Sequence, residues 1–288
     1  MNKIKIMTDS TSDIPADKQK ELGIDIMNYT IIADGKEYRE RQDLTNEEFY
    51  EIAENSSEMP KHSQLTMIEF IDKFEEAAAE GYTDLIHVSI SSTGSATYNN
   101  AVNAAKEFSE KNDKLKIHIV DSKGYSGMYG YAVIQAAIMA NNGESPESIV
   151  SYIEEWTSRS EAHFIPLSLK FVKKSGRITA AAAFAGELLG LRPLVKLAGG
   201  GSEIPMKIRG EKNIIPKLLE DAEKNMQPHT PYLIITGRNR TLPEKLAMEA
   251  EKKFGYPPEY FNEIGATVTC NTGPDLVGFI FRRRDDND

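Results

Sequence analysis

Two hydrophobic periodicities take turns along the first half of this chain, and their alternation narrows the fold more than any other feature. Residues 3–8 read Lys-Ile-Lys-Ile-Met-Thr, with apolar side chains at every second position, as a strand requires. Residues 66–80 place Met67, Phe70, Ile71 and Phe74 at helical spacing, with Gly81 just beyond. The exchange then repeats. Strand signals fall at 24–32, 84–90 and 115–120, and helix signals at 16–22, 95–111, 130–140 and 147–156. Another helix starts at Thr45, where a capping hydroxyl stands three residues before Glu48. Strands separated by helices predict a parallel sheet covered on both faces.

After residue 160 the rhythm changes. Strand signals at 162–167, 194–197, 204–208, 231–236 and 259–264 mix with helix signals at 169–174, 178–189, 213–225 and 242–254. Gly199-Gly200-Gly201 reads as a hairpin turn, and apolar runs at 267–269 and 276–281 flank Asn271-Thr-Gly-Pro274. Such a mixture predicts α+β with partly antiparallel strands. The fold class is therefore α/β: an N-terminal α/β/α parallel-sheet domain over 1–160, and a C-terminal α+β domain with a mixed sheet over 161–288.

Bulk properties exclude several functions. The net charge of -10 repels phosphates, so no nucleic-acid partner is expected. Cys270 is the one cysteine, which rules out an internal disulfide and a cysteine metal cluster and fits a cytoplasmic protein. A membrane span needs roughly 20 apolar residues. The longest low-charge stretch, 178–191, is interrupted by Gly186, Glu187 and Gly190, so stable membrane insertion is not expected.

Four short segments are dense in Ser, Thr, Gly and Asn, each at the end of a strand signal: residues 8–13, 89–98, 121–126 and 269–274. In a parallel sheet three of them meet at the carboxyl edge, where open α/β sheets bind ligands. Hydroxyls and backbone N–H groups before a helix also suit an anion. The alternative is that these residues only cap helices and close turns.

Signals of catalysis are sparse. His62, His87, His118, His163 and His229 form no metal-ligand pair at helical spacing, and there is no nucleophile elbow and no phosphate loop. His87 and His118 fall inside strand signals, where a satisfied structural role is expected. Asp9 and Asp121 at strand ends suit either a metal or the anchoring of a loop. Cations gather in two places, Lys170, Lys173, Lys174 and Arg177, and then Lys207, Arg209 and Lys212. They fit an anionic ligand or acidic partner, or a solvated face. The alanine-rich helix signal that contains Phe184, Leu188 and Leu189 suits either the lining of an apolar pocket or the second domain's own core.

Taken in order, Asp9-Ser-Thr-Ser-Asp13, Ser63-Gln64, residues 91–98, Val120-Asp-Ser122, Lys174-Ser-Gly-Arg-Ile178 and Asn271-Thr-Gly-Pro274 resemble the DegV family of bacterial fatty-acid-binding proteins. The likeness runs from near residue 4 to near residue 282. It implies a long-chain fatty acid with a buried tail and a carboxylate held at the domain interface by hydroxyls and a histidine. It implies no cofactor and no catalysis by the chain itself. Some members present the carboxylate to a separate ATP-dependent fatty acid kinase subunit. Carried over by position, the carboxylate set is Ser63, Ser95, Thr97, His62 and Asn271. The pocket set is Phe184, Leu188, Leu189 and Ser10, and the partner-docking set is Arg177 and Arg209. Asn271 stands where the family has histidine, and Asp275 replaces a glycine. An amide donates a hydrogen bond but carries no charge. Two other readings stay open: an enzyme using loop hydroxyls such as Ser95, and an interaction module using the basic clusters.

Overall fold

The computed structural model describes residues 3–182 and 190–285. The chain divides into two compact units, Met1–Thr30 with His62–Ser158, and Ile31–Lys61 with Arg159–Asp288.

The first unit is built on a four-stranded sheet of β1 (Ile4–Asp9), β2 (Asp25–Met27), β6 (Asp84–Ser89) and β7 (Lys116–Asp121), in the order β2-β1-β6-β7. Every pairing is parallel. Side chains alternate between the faces. Met7 and Leu85 meet Phe70 and Phe74 of α3 (Met67–Ala79) and Ala101, Ala104 and Phe108 of α4 (Thr97–Ser109). Ile6, Ile86 and Val88, equally buried, belong to the opposite face. Helix α5 (Gly127–Asn141) is buried on nearly all sides and packs on β1. Trp156 of α6 (Pro146–Arg159) fixes it by donating from Nε1 to the Met128 carbonyl at 3.0 Å. The short α1 (Ala16–Leu22) lies against α5.

The strand signal over 24–32 breaks in two. Strand β2 ends at Met27, and β3 (Thr30–Ala33) starts after Asn28 and Tyr29. The break has a local cause: the Tyr29 N–H donates to Ser10 Oγ at 3.0 Å instead of to a neighbouring strand.

The second unit carries a six-stranded sheet of β8 (Ser160–Pro166), β9 (Leu191–Ala198), β10 (Gly201–Arg209), β11 (Tyr232–Thr236), β12 (Phe261–Glu263) and β13 (Leu276–Arg282). The order is β10-β9-β8-β13-β11-β12, antiparallel except for β11 with β12. Helices α9 (Ile214–Asn225) and α10 (Thr241–Phe254) pack Leu218 and Leu246 against Phe279 and Phe281. Gly199 and Gly200, at φ 53° and 82°, make the tight turn between β9 and β10. Both central residues of this hairpin turn need positive φ, which glycine adopts without strain.

Residues 31–61 carry β4 (Lys36–Arg39) and α2 (Asn46–Asn55). With β5 (Lys61–Ser63), β3 and β4 form a three-stranded sheet in the order β4-β3-β5. Helix α2 opens with the expected capping box, Thr45 on the Glu48 N–H and Glu48 back on the Thr45 N–H. Its Phe49 and Ala53 pack with Ile31, Leu44, Phe171 of α7 (Lys170–Ser175), and Ala266 and Cys270 of α11 (Ala266–Thr272). The run at 267–269 is thus helical. Its β-branched residues are accommodated because Thr269 and Thr272 donate to carbonyls four residues back. Buried Glu40 accepts both the Thr267 N–H and its hydroxyl at 2.8 Å each, near the helix start. Only Thr179–Ala182 of the expected helix at 178–189 is described, as α8. Phe184, Leu188 and Leu189 lie outside the described residues.

Candidate binding site at the carboxyl edge of the parallel sheet

Strands β1, β6 and β7 end in the three polar loops, and parallel pairing sets those ends side by side. The two strand-end aspartates tie the loops together. Asp9 is fully buried. Its Oδ2 accepts the Ile90 N–H at 2.9 Å, while Oδ1 accepts the Thr11 N–H at 3.1 Å, the Thr11 hydroxyl, and Tyr129 OH at 2.7 Å. Burial raises the Asp9 pKa against the pull of those bonds, and burial beside Asp9 raises that of Tyr129. Asp121 accepts the Ser92 N–H at 3.1 Å, the Ser92 hydroxyl at 2.6 Å and the Lys123 N–H at 3.0 Å. Both carboxylates therefore act as loop anchors. No group of three or more His, Cys, Asp or Glu suited to a metal occurs among the described residues.

The loops are also held in uncommon backbone conformations. Asp13 and Ser126 both have positive φ, 51° and 56°, and the Ser126 hydroxyl donates to Asp13 Oδ2 at 2.5 Å. Non-glycine residues in such conformations are held there by their surroundings, and they concentrate at functional sites.

Ser95 and Thr97 stand at the start of α4, facing Tyr29. Tyr29 OH lies 2.5 Å from Thr97 Oγ1 and 3.1 Å from Ser95 Oγ, and Ser95 Oγ donates to Thr97 Oγ1 at 3.0 Å. The Leu65 N–H reaches the same Thr97 oxygen at 3.3 Å, so the segment after His62 and Ser63 is tied in. The His62 ring lies 5.8 Å from that of Tyr29. Thr97 and Tyr29 are buried, Ser95 and His62 are half-buried, and Ser63 is exposed at the end of β5. Ser10 is buried behind them with its oxygen on the Tyr29 N–H.

Four of the residues picked out in the sequence, Ser10, His62, Ser95 and Thr97, thus gather around a fifth that the sequence did not single out. Tyr29 sits inside what reads as one strand, so its role had no local signal. Ser63, exposed, also belongs to the first unit, whereas Asn271, Arg177 and Arg209 belong to the second. Asn271 is in the last turn of α11, with Nδ2 donating to the Thr267 carbonyl at 2.8 Å. Arg177 is exposed beyond α7, bonded from Nη1 to the Ser175 carbonyl at 3.0 Å. Arg209 is exposed at the end of edge strand β10. Asp275 accepts from Arg238 Nη2 at 2.5 Å and from the Asn239 N–H at 3.2 Å.

The histidines divide differently from expectation. His87 lies in a strand as expected but is not satisfied: neither ring nitrogen has a hydrogen-bond partner among the described residues, and burial lowers its pKa to about 3. His118 Nε2 lies 3.3 Å from Asp84 Oδ1. His163 is clamped between Asp221 at 2.5 Å and Glu161 at 2.9 Å.

A parallel-sheet unit with hydroxyls at its carboxyl edge and a second unit with a mixed sheet define a two-unit α/β protein. The family model described as an uncharacterised protein of the DegV family matches residues 3–284, and the chain belongs to that family. A DegV domain-containing protein of Caldanaerobacter subterraneus is 31% identical over 99% of this chain and 100% of its own length. A DegV family protein from Thermus thermophilus, described by its fatty acid binding, is 28% identical, with a TM-score of 0.85 over 98% of this chain and 100% of that one. A fatty-acid-binding DegV family protein from Streptococcus agalactiae is 25% identical, with a TM-score of 0.86 over 99% of this chain and 100% of that one.

Proposed function

We propose that this chain binds a long-chain fatty acid, shields its tail and holds its carboxylate with the hydroxyl group built on Ser95. The observation that carries the reading is the cluster of Ser95, Thr97 and Tyr29 at the carboxyl edge of the parallel sheet. Its hydroxyls are donors for an anionic oxygen. Ser95 Oγ meets the hydroxyls of Tyr29 and Thr97 and the Thr97 N–H, so its direct partners are groups that orient a donor rather than a base that would take its proton. Binding, not catalysis, suits it. The fatty-acid binding described for the Thermus and Streptococcus relatives supports the same reading.

The tail supplies affinity and the head supplies selectivity. Burial gives ~0.8 kcal/mol per methylene, or ~11 kcal/mol gross for roughly 14 of them. Lost rigid-body and chain freedom take back about 4–15 kcal/mol. Arg177 and Arg209 serve as docking points for a separate kinase that phosphorylates the bound carboxylate. Arg209→Glu should abolish that phosphorylation and leave lipid content unchanged; unchanged phosphorylation removes Arg209 from this role.

The decisive experiment is organic extraction and mass spectrometry of protein purified from a bacterial host. An acyl species near one per chain is expected. A chain that yields none, and takes up no added fatty acid after delipidation, is not a fatty-acid carrier.

A further inference from the structure

The hydrogen count in the hydroxyl cluster assigns a direction to each of its bonds. Thr97 Oγ1 accepts from Ser95 Oγ at 3.0 Å and from the Leu65 N–H at 3.3 Å, which fills both of its lone pairs. Its own hydrogen then goes to the Tyr29 oxygen, 2.5 Å away. The Tyr29 hydrogen in turn points to Ser95 Oγ at 3.1 Å, where the Thr97 N–H also donates at 3.3 Å. The three hydroxyls form a closed ring with all hydrogens running one way round. Ser95 is the one member of the ring that is not buried.

An anionic oxygen arriving at this edge meets Ser95 and opens the ring at one bond. The Ser95 hydrogen swings from Thr97 to the anion, and Thr97 keeps its donor from Leu65. Behind Ser95, the Tyr29 hydroxyl and the Thr97 N–H still point at its oxygen. A hydroxyl that accepts two hydrogen bonds is a stronger donor, because successive bonds polarise one another. Tyr29 itself is fixed from two sides. Ser10 Oγ holds its N–H, and its ring packs among Met7, Met27, Leu65 and Phe70.

We propose that Tyr29 is a positioning residue that sets selectivity for the head group, by donating to Ser95 and strengthening the bond Ser95 gives to a carboxylate. The proposal rests on the fatty-acid reading above. It makes the carboxylate, and not the hydroxyl of a fatty alcohol, the species that gains from the ring. Tyr29→Phe deletes one oxygen and keeps the buried ring.

Delipidated wild-type and variant proteins are titrated with palmitic acid and with 1-hexadecanol. Tyr29→Phe is expected to weaken palmitate binding about five- to tenfold, the scale of one hydrogen bond between neutral groups. Hexadecanol binding should change less than twofold. In a Ser95→Ala background, Tyr29→Phe should change palmitate affinity less than twofold, since its effect runs through Ser95. Ser10→Ala leaves the ring members in place but removes the hook on the Tyr29 backbone, so it should move the palmitate-to-hexadecanol ratio the same way. Equal losses for both ligands, fold-changes that multiply across the Ser95 background, or no loss at all would overturn the proposal. Wild-type protein that takes up neither ligand sinks the fatty-acid reading itself. Wild-type protein that binds palmitate while Tyr29→Phe keeps its preference sinks only the role of Tyr29.

Discussion

His87 is buried in the first unit with no hydrogen-bond partner for either ring nitrogen among the described residues, and burial lowers its pKa to about 3. The folded chain keeps this ring neutral while the unfolded chain protonates it below about pH 6.5. Fewer protons are bound in the folded state across that window, so stability is lost as the pH falls through it. Between pH 7 and pH 5 this one group removes ~2 kcal/mol. His87→Phe keeps the edge-on contact with Phe70 and should flatten that dependence in urea titrations at the two pH values. An unchanged slope would mean that the ring is solvated or paired.

His163 runs the other way. Burial pulls its pKa down, but the bonds to Asp221 and Glu161 outweigh burial, and the net shift is upward. Both ring nitrogens face carboxylates, which suits the imidazolium form. Lys196 at 3.2 Å and Arg283 at 3.9 Å hold Glu161 from other elements, and Asn225 donates to the far oxygen of Asp221. With a raised folded pKa, the contribution is complete below about pH 6.5 and is lost as the pH rises through the folded value. His163→Gln should abolish this alkaline loss in denaturation series from pH 6 to pH 9. A loss that persists in the variant would place its origin elsewhere.

At the scale of elements, the close approach of α5 to the loop after β1 turns on one residue. A Cβ built on Gly130 would stand 2.2 Å from the Ser12 carbonyl oxygen, well inside contact distance. Gly130→Ala should therefore destabilise the protein by roughly 1–3 kcal/mol, the usual cost of overpacking, in thermal or urea unfolding. A neutral result would show that α5 slides freely on β1.

The capping box at Thr45, the glycine hairpin and the parallel strands of the first unit were all legible from sequence, because each is specified by neighbours within a few residues. Strands β4 and β5 were not. Four- and three-residue strands hold too little of a period-two pattern to register. Nor was α11, whose threonines favour strands until their hydroxyls find carbonyls one turn back. Ser95 and Thr97 were visible as a run of hydroxyls, whereas Tyr29 became part of the site only through contacts with residues 66 and 68 positions away.

For the whole molecule, a bound fatty acid is a stabiliser by mass action. At a free ligand concentration of a hundred Kd it adds about 2.7 kcal/mol. Calorimetry of delipidated protein should therefore show a melting midpoint that climbs with added palmitate, and no climb with a short-chain acid such as acetate. The same midpoint for all three samples would argue against a tail site. The grouping of residues 31–61 with the second unit also belongs to this scale. Phe49, Leu44 and Ile31 find their apolar neighbours Phe171, Ala266 and Cys270 more than a hundred positions further on, and no local pattern marks that choice.

Strand β13 occupies an inner slot of the six-stranded sheet, between β8 and β11, yet it follows the other five strands of that sheet in the sequence. It joins two strands distant in sequence: β8 ends at Pro166, β11 ends at Thr236, and β13 starts only at Leu276. Without β13 the sheet order would fall into two separate pieces, β10-β9-β8 and β11-β12. Unpaired strand edges readily pair with other chains, so a variant that displaces β13 would bare β8 and β11 at once and invite aggregation.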